Sequence, residues 1–362
     1  VCEPDWGDAT WSPAGLAGRP VHRRRVFQRE GIISDHSERD RPLRVGVVGV
    51  GYFGRFHAAK YAALEGCELT AVVDIDIERA RTVAEPYGCP AYTELEEVFG
   101  KVDALSVATP TSTHYEVARI CLENGIHVLL EKPMTATLQQ ADALVALADA
   151  RGMLLQVGHQ ERFFAAQVGL AGLASAPTDI YCERLGPFTG RSLDCSVVTD
   201  LMIHDIDLAQ SLVRTQITGL IGLGAPSVTE FPDEADVTLY YANGCTVRLV
   251  ASRASEGRSR RTRIIQADGT IDIDFLARTC SHSRLGAIEP QLPYVNGSIS
   301  GRRALVNDNL GQELAAFIDV LRHGGKPMVT GEDGRRALET ALMIEQHMNI
   351  VFPEQRAAGA HG

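Results

Sequence analysis

Residues 43–64 read LRVGVVGVGYFGRFHAAKYAAL, and this stretch decides the fold. Leu43 to Val48 has the Val-rich composition of a buried strand, and His57 to Leu64 is an alanine-rich run of good helix formers. Gly49-Val50-Gly51-Tyr52-Phe53-Gly54 stands between them. In a strand–turn–helix unit Gly49 permits the tight turn, Gly51 lets the backbone approach a pyrophosphate, and Gly54 lets helix and strand pack closely. The free N–H groups at the helix start favour an anion. A second apolar run, Leu69 to Val73, ends at Asp74, 20 residues beyond Gly54. A carboxylate there can accept both hydroxyls of an adenosine ribose and would repel a 2′-phosphate, so the expected cofactor is NAD.

The alternation continues. Val102 to Ala108 reads as a strand ending at Thr109-Pro110-Thr111, and Thr113 with Glu116 matches a capping box for a helix that stops near Asn124-Gly125. His127 to Leu130 is a strand leading into Glu131-Lys132-Pro133, followed by a helix, Leu138 to Ala150, and a strand, Met153 to Val157. Five or six parallel strands make residues 42–157 a Rossmann domain. Tyr52, Phe53, Thr109, Pro110, Glu131 and Lys132 join the three glycines and Asp74 as expected cofactor contacts at the carboxyl edge of the sheet.

Residues 158–352 read as a second α/β domain. Ile217 to Leu223, Asp236 to Tyr241, Thr246 to Ser252 and Arg263 to Ala267 alternate like strands, with Asn243-Gly244 expected as a type I′ hairpin turn. Arg258, Ser259, Arg260, Arg261 and Arg263 form a basic run, expected on an exposed sheet edge where charge blunts aggregation. Residues 278–303 read as irregular, and Asn309 to Leu321 and Gly334 to Ile350 as helices.

The 362 residues, 45% hydrophobic and 22% charged, suit a folded two-domain protein rather than a disordered or membrane-spanning chain. A net charge of -11 argues against nucleic acid as a partner. Eight scattered cysteines, without a C-x-x-C pair or zinc-like spacing, imply reduced thiols in a cytoplasmic protein and no metal site. Residues 1–41 balance seven Arg against seven acids without periodicity, and read as a disordered extension. The alternative is a basic arm, His22 to Arg25, that docks an anion.

Two constellations carry titratable groups. Lys132 follows an apolar strand and precedes a proline at the edge where a nicotinamide would lie; a lysine desolvated beside a cationic ring is suited to proton transfer. Asp200 and His204, four positions apart, share one face of a helix. Taken alone, Lys132 could equally be a surface lysine and His204 a core histidine behind an acidic helix start.

Gly49-Val50-Gly51-Tyr52-Phe53-Gly54, Glu131-Lys132-Pro133 and Asp200-x-x-x-His204, in this order and at these separations, resemble the Gfo/Idh/MocA oxidoreductase family over residues 43–350. The resemblance implies a Rossmann domain plus an α/β domain with an open, mainly antiparallel sheet that mediates homodimer or homotetramer assembly. It also implies a cis peptide before Pro133, terminal helices packed back on the Rossmann domain, and Lys132, Asp200 and His204 as catalytic residues. Gly158-His159-Gln160-Glu161-Arg162-Phe163, then Glu183 to Phe188 with Arg191, then Val197 to Asp205, are similar to the subgroup that oxidises the C3 hydroxyl of UDP-N-acetylglucosamine. That subgroup commonly continues Arg-Phe with Asn-Pro, where this chain has Phe164-Ala165-Ala166.

Likeness to the subgroup implies hydride transfer from sugar C3 to NAD, with the 3-keto product passed to an aminotransferase in amino-sugar (lipid A or surface polysaccharide) synthesis. His204 would take the hydroxyl proton, Asp200 would orient it, and Lys132 would stabilise the alkoxide; Lys132 and His204 could exchange roles. Arg162, Arg184 and Arg191 are the expected ligands of a UDP diphosphate, since planar guanidinium forks suit it. Two other readings share these motifs: a dehydrogenase of another nucleotide sugar, a free sugar or a cyclitol, and a non-catalytic NAD-binding regulator.

Overall fold

β1 (Leu43–Val48) buries Val45 and Val47 completely and is followed by α1 (Gly54–Ala63) and β2 (Cys67–Val73). They open a computed structural model that describes residues 41–190, 195–285, 294–295 and 308–351. The chain continues through α2 (Ile77–Ala84), β3 (Ala91–Tyr92), β4 (Ala104–Val107), α3 (Thr111–Glu123), β5 (His127–Leu130), α4 (Leu138–Arg151), β6 (Leu155–Val157) and α5 (Glu161–Gln167). The six strands form one parallel sheet in the order β3-β2-β1-β4-β5-β6, the doubly wound arrangement of a Rossmann domain. Its strand order reverses between β1 and β4, so Gly49 and Thr109 stand at the adjacent carboxyl ends where such sheets bind ligands.

A second unit is built on β7 (Pro177–Leu185), a π-helical turn at Val198–Met202 that runs into α6 (Ile203–Leu212), and strands β8 (Ile217–Ala225), β9 (Glu234–Tyr241) and β10 (Thr246–Ser252). β11 (Ser259–Gln266), β12 (Gly269–Asp274), β13 (Thr279–Arg284) and β14 (Tyr294–Val295) extend the sheet on one side. The chain then returns to the first unit as α7 (Asn309–His323) and passes along α8 (Gly331–His347) to β15 (Asn349–Ile350) in the second.

The nine-stranded sheet has the order β14-β13-β12-β11-β7-β10-β9-β8-β15, antiparallel except at β7–β10 and β8–β15. Val237, Leu239, Val247, Leu249, Ile264 and Ile271 fill one face, and α6 packs against β7 and β10. Ile221, Leu223, Tyr240 and Ile265 lie on the exposed side. In the first unit, Leu314, Phe317 and Leu321 of α7 join Val45, Val47 and Leu129 in one core. Among the described residues, no helix is long and apolar enough to cross a membrane, and seven cysteines carry free thiols.

The structure corrects several local expectations. Thr113 is not an N-cap: α3 starts at Thr111 behind Pro110, and the Thr113 hydroxyl donates to the Pro110 carbonyl (2.8 Å). A proline at the cap presets the entry angle, and capping boxes stand instead at Thr137–Gln140 and Glu94–Glu97.

The β9–β10 hairpin is present, but its turn is not type I′. Gly244 alone has positive φ (84°), its N–H bonds the Tyr241 carbonyl (2.9 Å), and Tyr241 N–H bonds the Cys245 carbonyl (3.0 Å). That pattern is a type I turn closed by a glycine bulge, which keeps Asn243 out of the left-handed region.

The basic run does not lie on an edge. β11 sits between β7 and β12, and Arg261 and Arg263 pair across the strands with Asp274 (3.0 Å) and Asp272 (2.6 Å). The stretch expected to be irregular contains β13 and β14. The extension 1–41, apart from Arg41, and the arm His22–Arg25 lie outside the described residues.

Candidate active site

The glycine turn is shaped to receive a pyrophosphate. Gly49 has φ +80°, and a Cβ there would stand 2.7 Å from the Thr109 backbone; one on Gly54 would stand 1.8 Å from the Gly49 carbonyl oxygen. A Cβ on Gly51 would meet nothing within 4 Å, so that peptide faces open space. No side chain caps α1 and no acid occupies its first turn, which leaves its positive end for a ligand. Tyr52 and Phe53 are exposed beside it, and the Arg55 guanidinium stacks 5.1 Å from the Tyr52 ring and 4.9 Å from that of Phe56. These features fit the diphosphate of a dinucleotide.

Asp74 is buried at the end of β2. Its Oδ2 accepts from Val50 N–H (2.9 Å), its Oδ1 from Asp76 N–H (3.0 Å), and Arg79 lies 3.2 Å away. The carboxylate thus holds the glycine turn from below, and Arg79 already offsets its charge.

The Glu131-Lys132-Pro133 turn follows β5, with a cis bond before Pro133. Lys132 is half-buried, and its N–H donates to Glu131 Oε2 (3.3 Å). His57, fully buried on α1, bonds Glu131 Oε1 through Nε2 (3.1 Å). His114 ties the turn to the end of β4: its Nε2 lies 2.8 Å from the Thr109 carbonyl oxygen and its Nδ1 2.9 Å from that of Pro133. Burial lowers its pKa, so at neutral pH the ring has one proton to give to the two carbonyls.

In the second unit Asp200 lies inside the π-helical turn, where Ile203 N–H reaches back five residues to the Val198 carbonyl. Such turns widen a helix locally and recur at functional sites. Asp200 and His204 are both half-buried, whereas Met202 and Ile203 between them are buried, so both lie on the partly open side. Glu345 bonds the hydroxyls of Ser196 and Thr199 (3.2 Å for Thr199) at the start of this helix. Directly after His204, Asp205 receives two hydrogen bonds from Arg184, Nε at 2.8 Å and Nη2 at 2.9 Å, with both side chains buried.

The three expected diphosphate arginines therefore differ in setting. Arg184 is committed to Asp205, Arg162 lies 3.7 Å from Asp333 in the first unit, and Arg191 is outside the described residues. The structure adds residues that sequence reading missed. His57 stands four positions before Tyr61 on the buried stripe of α1, and Asp205 adjoins a candidate base; a charged or polar residue on an apolar helix face was the available signal. Among the described residues, no group of three or more His, Cys, Asp or Glu is arranged to hold a metal ion.

Comparison with known proteins agrees with this architecture. Residues 43–159 match the model of an oxidoreductase family with an NAD-binding Rossmann fold, and residues 178–272 match the Gfo/Idh/MocA C-terminal domain. The chain is 38% identical over 306 residues to the UDP-N-acetylglucosamine 3-dehydrogenase of Acidithiobacillus ferrooxidans, covering 83% of this chain and 96% of that protein. A solved structure of that enzyme, GnnA, superposes with a TM-score of 0.77 at 35% identity, over 85% of this chain and 98% of the other. The scyllo-inositol 2-dehydrogenase (NAD(+)) of Bacillus subtilis is 27% identical, covering 86% and 96%. The cradle, the sheet order and these matches together make the chain a member of the Gfo/Idh/MocA family of NAD-binding oxidoreductases.

Proposed function

We propose that the protein is an NAD-dependent dehydrogenase that oxidises the C3 hydroxyl of UDP-N-acetylglucosamine to the 3-keto sugar. The observation that carries this reading is the 38% identity to a UDP-N-acetylglucosamine 3-dehydrogenase across nearly all of that protein. A keto sugar of this kind is the substrate an aminotransferase needs. We place the reaction in the cytoplasm and the enzyme in a homodimer or homotetramer, whose contact would use the exposed side of the sheet at Ile221, Leu223, Tyr240 and Ile265.

The turn Gly49–Gly54 and the start of α1 would hold the cofactor diphosphate, Asp74 the adenosine ribose, and Tyr52, Phe53, Thr109, Pro110 and Glu131 the rest. Bound there, NAD⁺ supplies the hydride acceptor. His204 takes the hydroxyl proton and Asp200 keeps its ring oriented. Lys132, fixed through its backbone to Glu131, stabilises the alkoxide that develops as the proton leaves. Arg162 and Arg191 remain as ligands for the UDP diphosphate; Arg184 serves the helix that carries His204.

A second reading is a dehydrogenase of a free sugar or cyclitol. It draws on the pairing of Arg184 with Asp205, which leaves fewer arginines for a diphosphate, and on the inositol dehydrogenase relative. Incubating the protein with NAD⁺ and a panel of UDP-sugars, free sugars and inositols, with an amine trap for keto products, separates the two. A trapped keto product from UDP-N-acetylglucosamine supports the first reading, and turnover of inositol or glucose alone selects the second. Near wild-type kcat/KM across pH in Lys132→Met or His204→Asn would remove that residue from the chemistry.

A further inference from the structure

A second carboxyl group, which the proposed chemistry does not use, lies near enough to Glu131 to feel its charge. Glu313, on the inner face of α7, is completely buried, and among the described residues neither of its side-chain oxygens has a hydrogen-bond partner. Its backbone carbonyl receives Gln156 Nε2 (3.2 Å). The titratable and charged groups on the elements packed around it are His57, Lys60, Tyr61 and the exposed Arg55 on α1, Glu131 and Lys132 after β5, and Glu161 and Arg162 on α5. Lys60 is paired with Asp308 (2.7 Å), Arg162 lies by Asp333, and His57 is bonded to Glu131. No described cation is within ion-pair distance of Glu313.

Glu131, by contrast, is equipped to be an anion. It accepts from His57 Nε2 and from Lys132 N–H, and the missing side chain of Gly158 makes its space: a Cβ there would lie 3.0 Å from Oε1 and 3.1 Å from Oε2. An ionised carboxylate deep in protein needs such donors, and one without them takes a proton instead.

We propose that Glu313 is held as a neutral carboxylic acid, which leaves Glu131 as the single anion that orients His57 and the Lys132 backbone. A second charge near Glu131 would push its carboxylate off its donors; one charge and one acid let it stay. Burial first, and then the Glu131 charge, both favour the protonated form of Glu313. The link from Glu131 to NAD rests on the proposed function, whereas the protonation of Glu313 does not.

The test is the isosteric neutral variant Glu313→Gln in the full chain. A carboxyl whose folded pKa is raised binds a proton in the native state that the unfolded chain has released. The wild type's folding constant, divided by that of the variant, should therefore fall as pH rises above the unfolded carboxyl's pKa of about 4.3, by at most about tenfold per pH unit. NAD affinity at pH 7 should stay within about twofold of wild type. A ratio that is flat or rises with pH, or a tenfold loss of NAD affinity in Glu313→Gln, overturns the proposal.

Should the variant not fold, the infrared spectrum of the wild type at pH 7 decides. A protonated-carboxyl band that shifts on isotopic labelling of glutamate supports the proposal, and its absence refutes it. Glu131→Gln separates the two claims, because unchanged NAD affinity there removes Glu131 from the cofactor site without touching the proton linkage of Glu313.

Discussion

Replacing Arg184 by methionine distinguishes what sequence and structure say about that residue. As a diphosphate ligand it would be lost at little cost to stability and with a raised KM for a UDP-sugar. As built, Arg184 makes a bidentate pair with Asp205 at 2.8 and 2.9 Å, with both side chains 3–4% exposed. Deleting one partner of a buried pair strands the other charge, which costs about 3–5 kcal/mol. For a unit of this size that is about 6–20 °C in Tm. The loss should fall on kcat more than on KM, because the stranded Asp205 comes directly after His204 in the chain. Joint replacement of Arg184 by methionine and Asp205 by leucine should recover most of the stability, since well-packed apolar groups often substitute for a buried pair without loss. Thermal unfolding with steady-state kinetics on UDP-N-acetylglucosamine is the assay. An Arg184→Met protein that keeps its Tm and kcat while its KM rises would refute the reasoning and return Arg184 to the substrate.

Three further outcomes are expected from the geometry. Asp74→Ser should weaken NAD binding about 10–100-fold, the loss of a charged hydrogen-bonding group, and raise NADP affinity by releasing Arg79, now 3.2 Å from the carboxylate; paired titrations of the two cofactors check it. Burial holds the His114 pKa below its ordinary 6.5, so the unfolded chain binds protons there first and stability should fall as pH drops below that value; unfolding curves of wild type and His114→Gln at pH 5 and 7.5 should show the dependence weakened in the variant. Phe317→Ala should cost about 3–5 kcal/mol by emptying the core that α7 shares with β1 and β5, read as a drop in the denaturation midpoint.

Much of the first unit was legible because its rules are local. β1 begins and ends at Leu43 and Val48 as the Val-rich run implied, and the sheet order accords with the right-handed crossovers that parallel strands require. The glycine turn was legible because each glycine answers a separate steric demand. Features that escaped depend on distant partners. Nothing near Arg184 in sequence shows that Asp205 will take its guanidinium, and nothing in the basic run of β11 shows that β7 and β12 will flank it. The π-helical turn at Val198–Met202 hides for a related reason: its spacing of apolar residues is close enough to that of an α-helix to be read as one. Glu313 also lies beyond sequence reading, since a glutamate in an amphipathic helix is normally solvated and only the packing of α7 against α1 and α5 buries it.

The most direct test of the central claim is isotope transfer. UDP-N-acetylglucosamine carrying deuterium at C3 is incubated with the protein and NAD⁺, and both products are weighed by mass spectrometry. Deuterium recovered in the reduced cofactor, together with an unlabelled 3-keto sugar, is the result predicted. Reduced cofactor without the label, or no reduction with this sugar while an inositol is turned over, would contradict it.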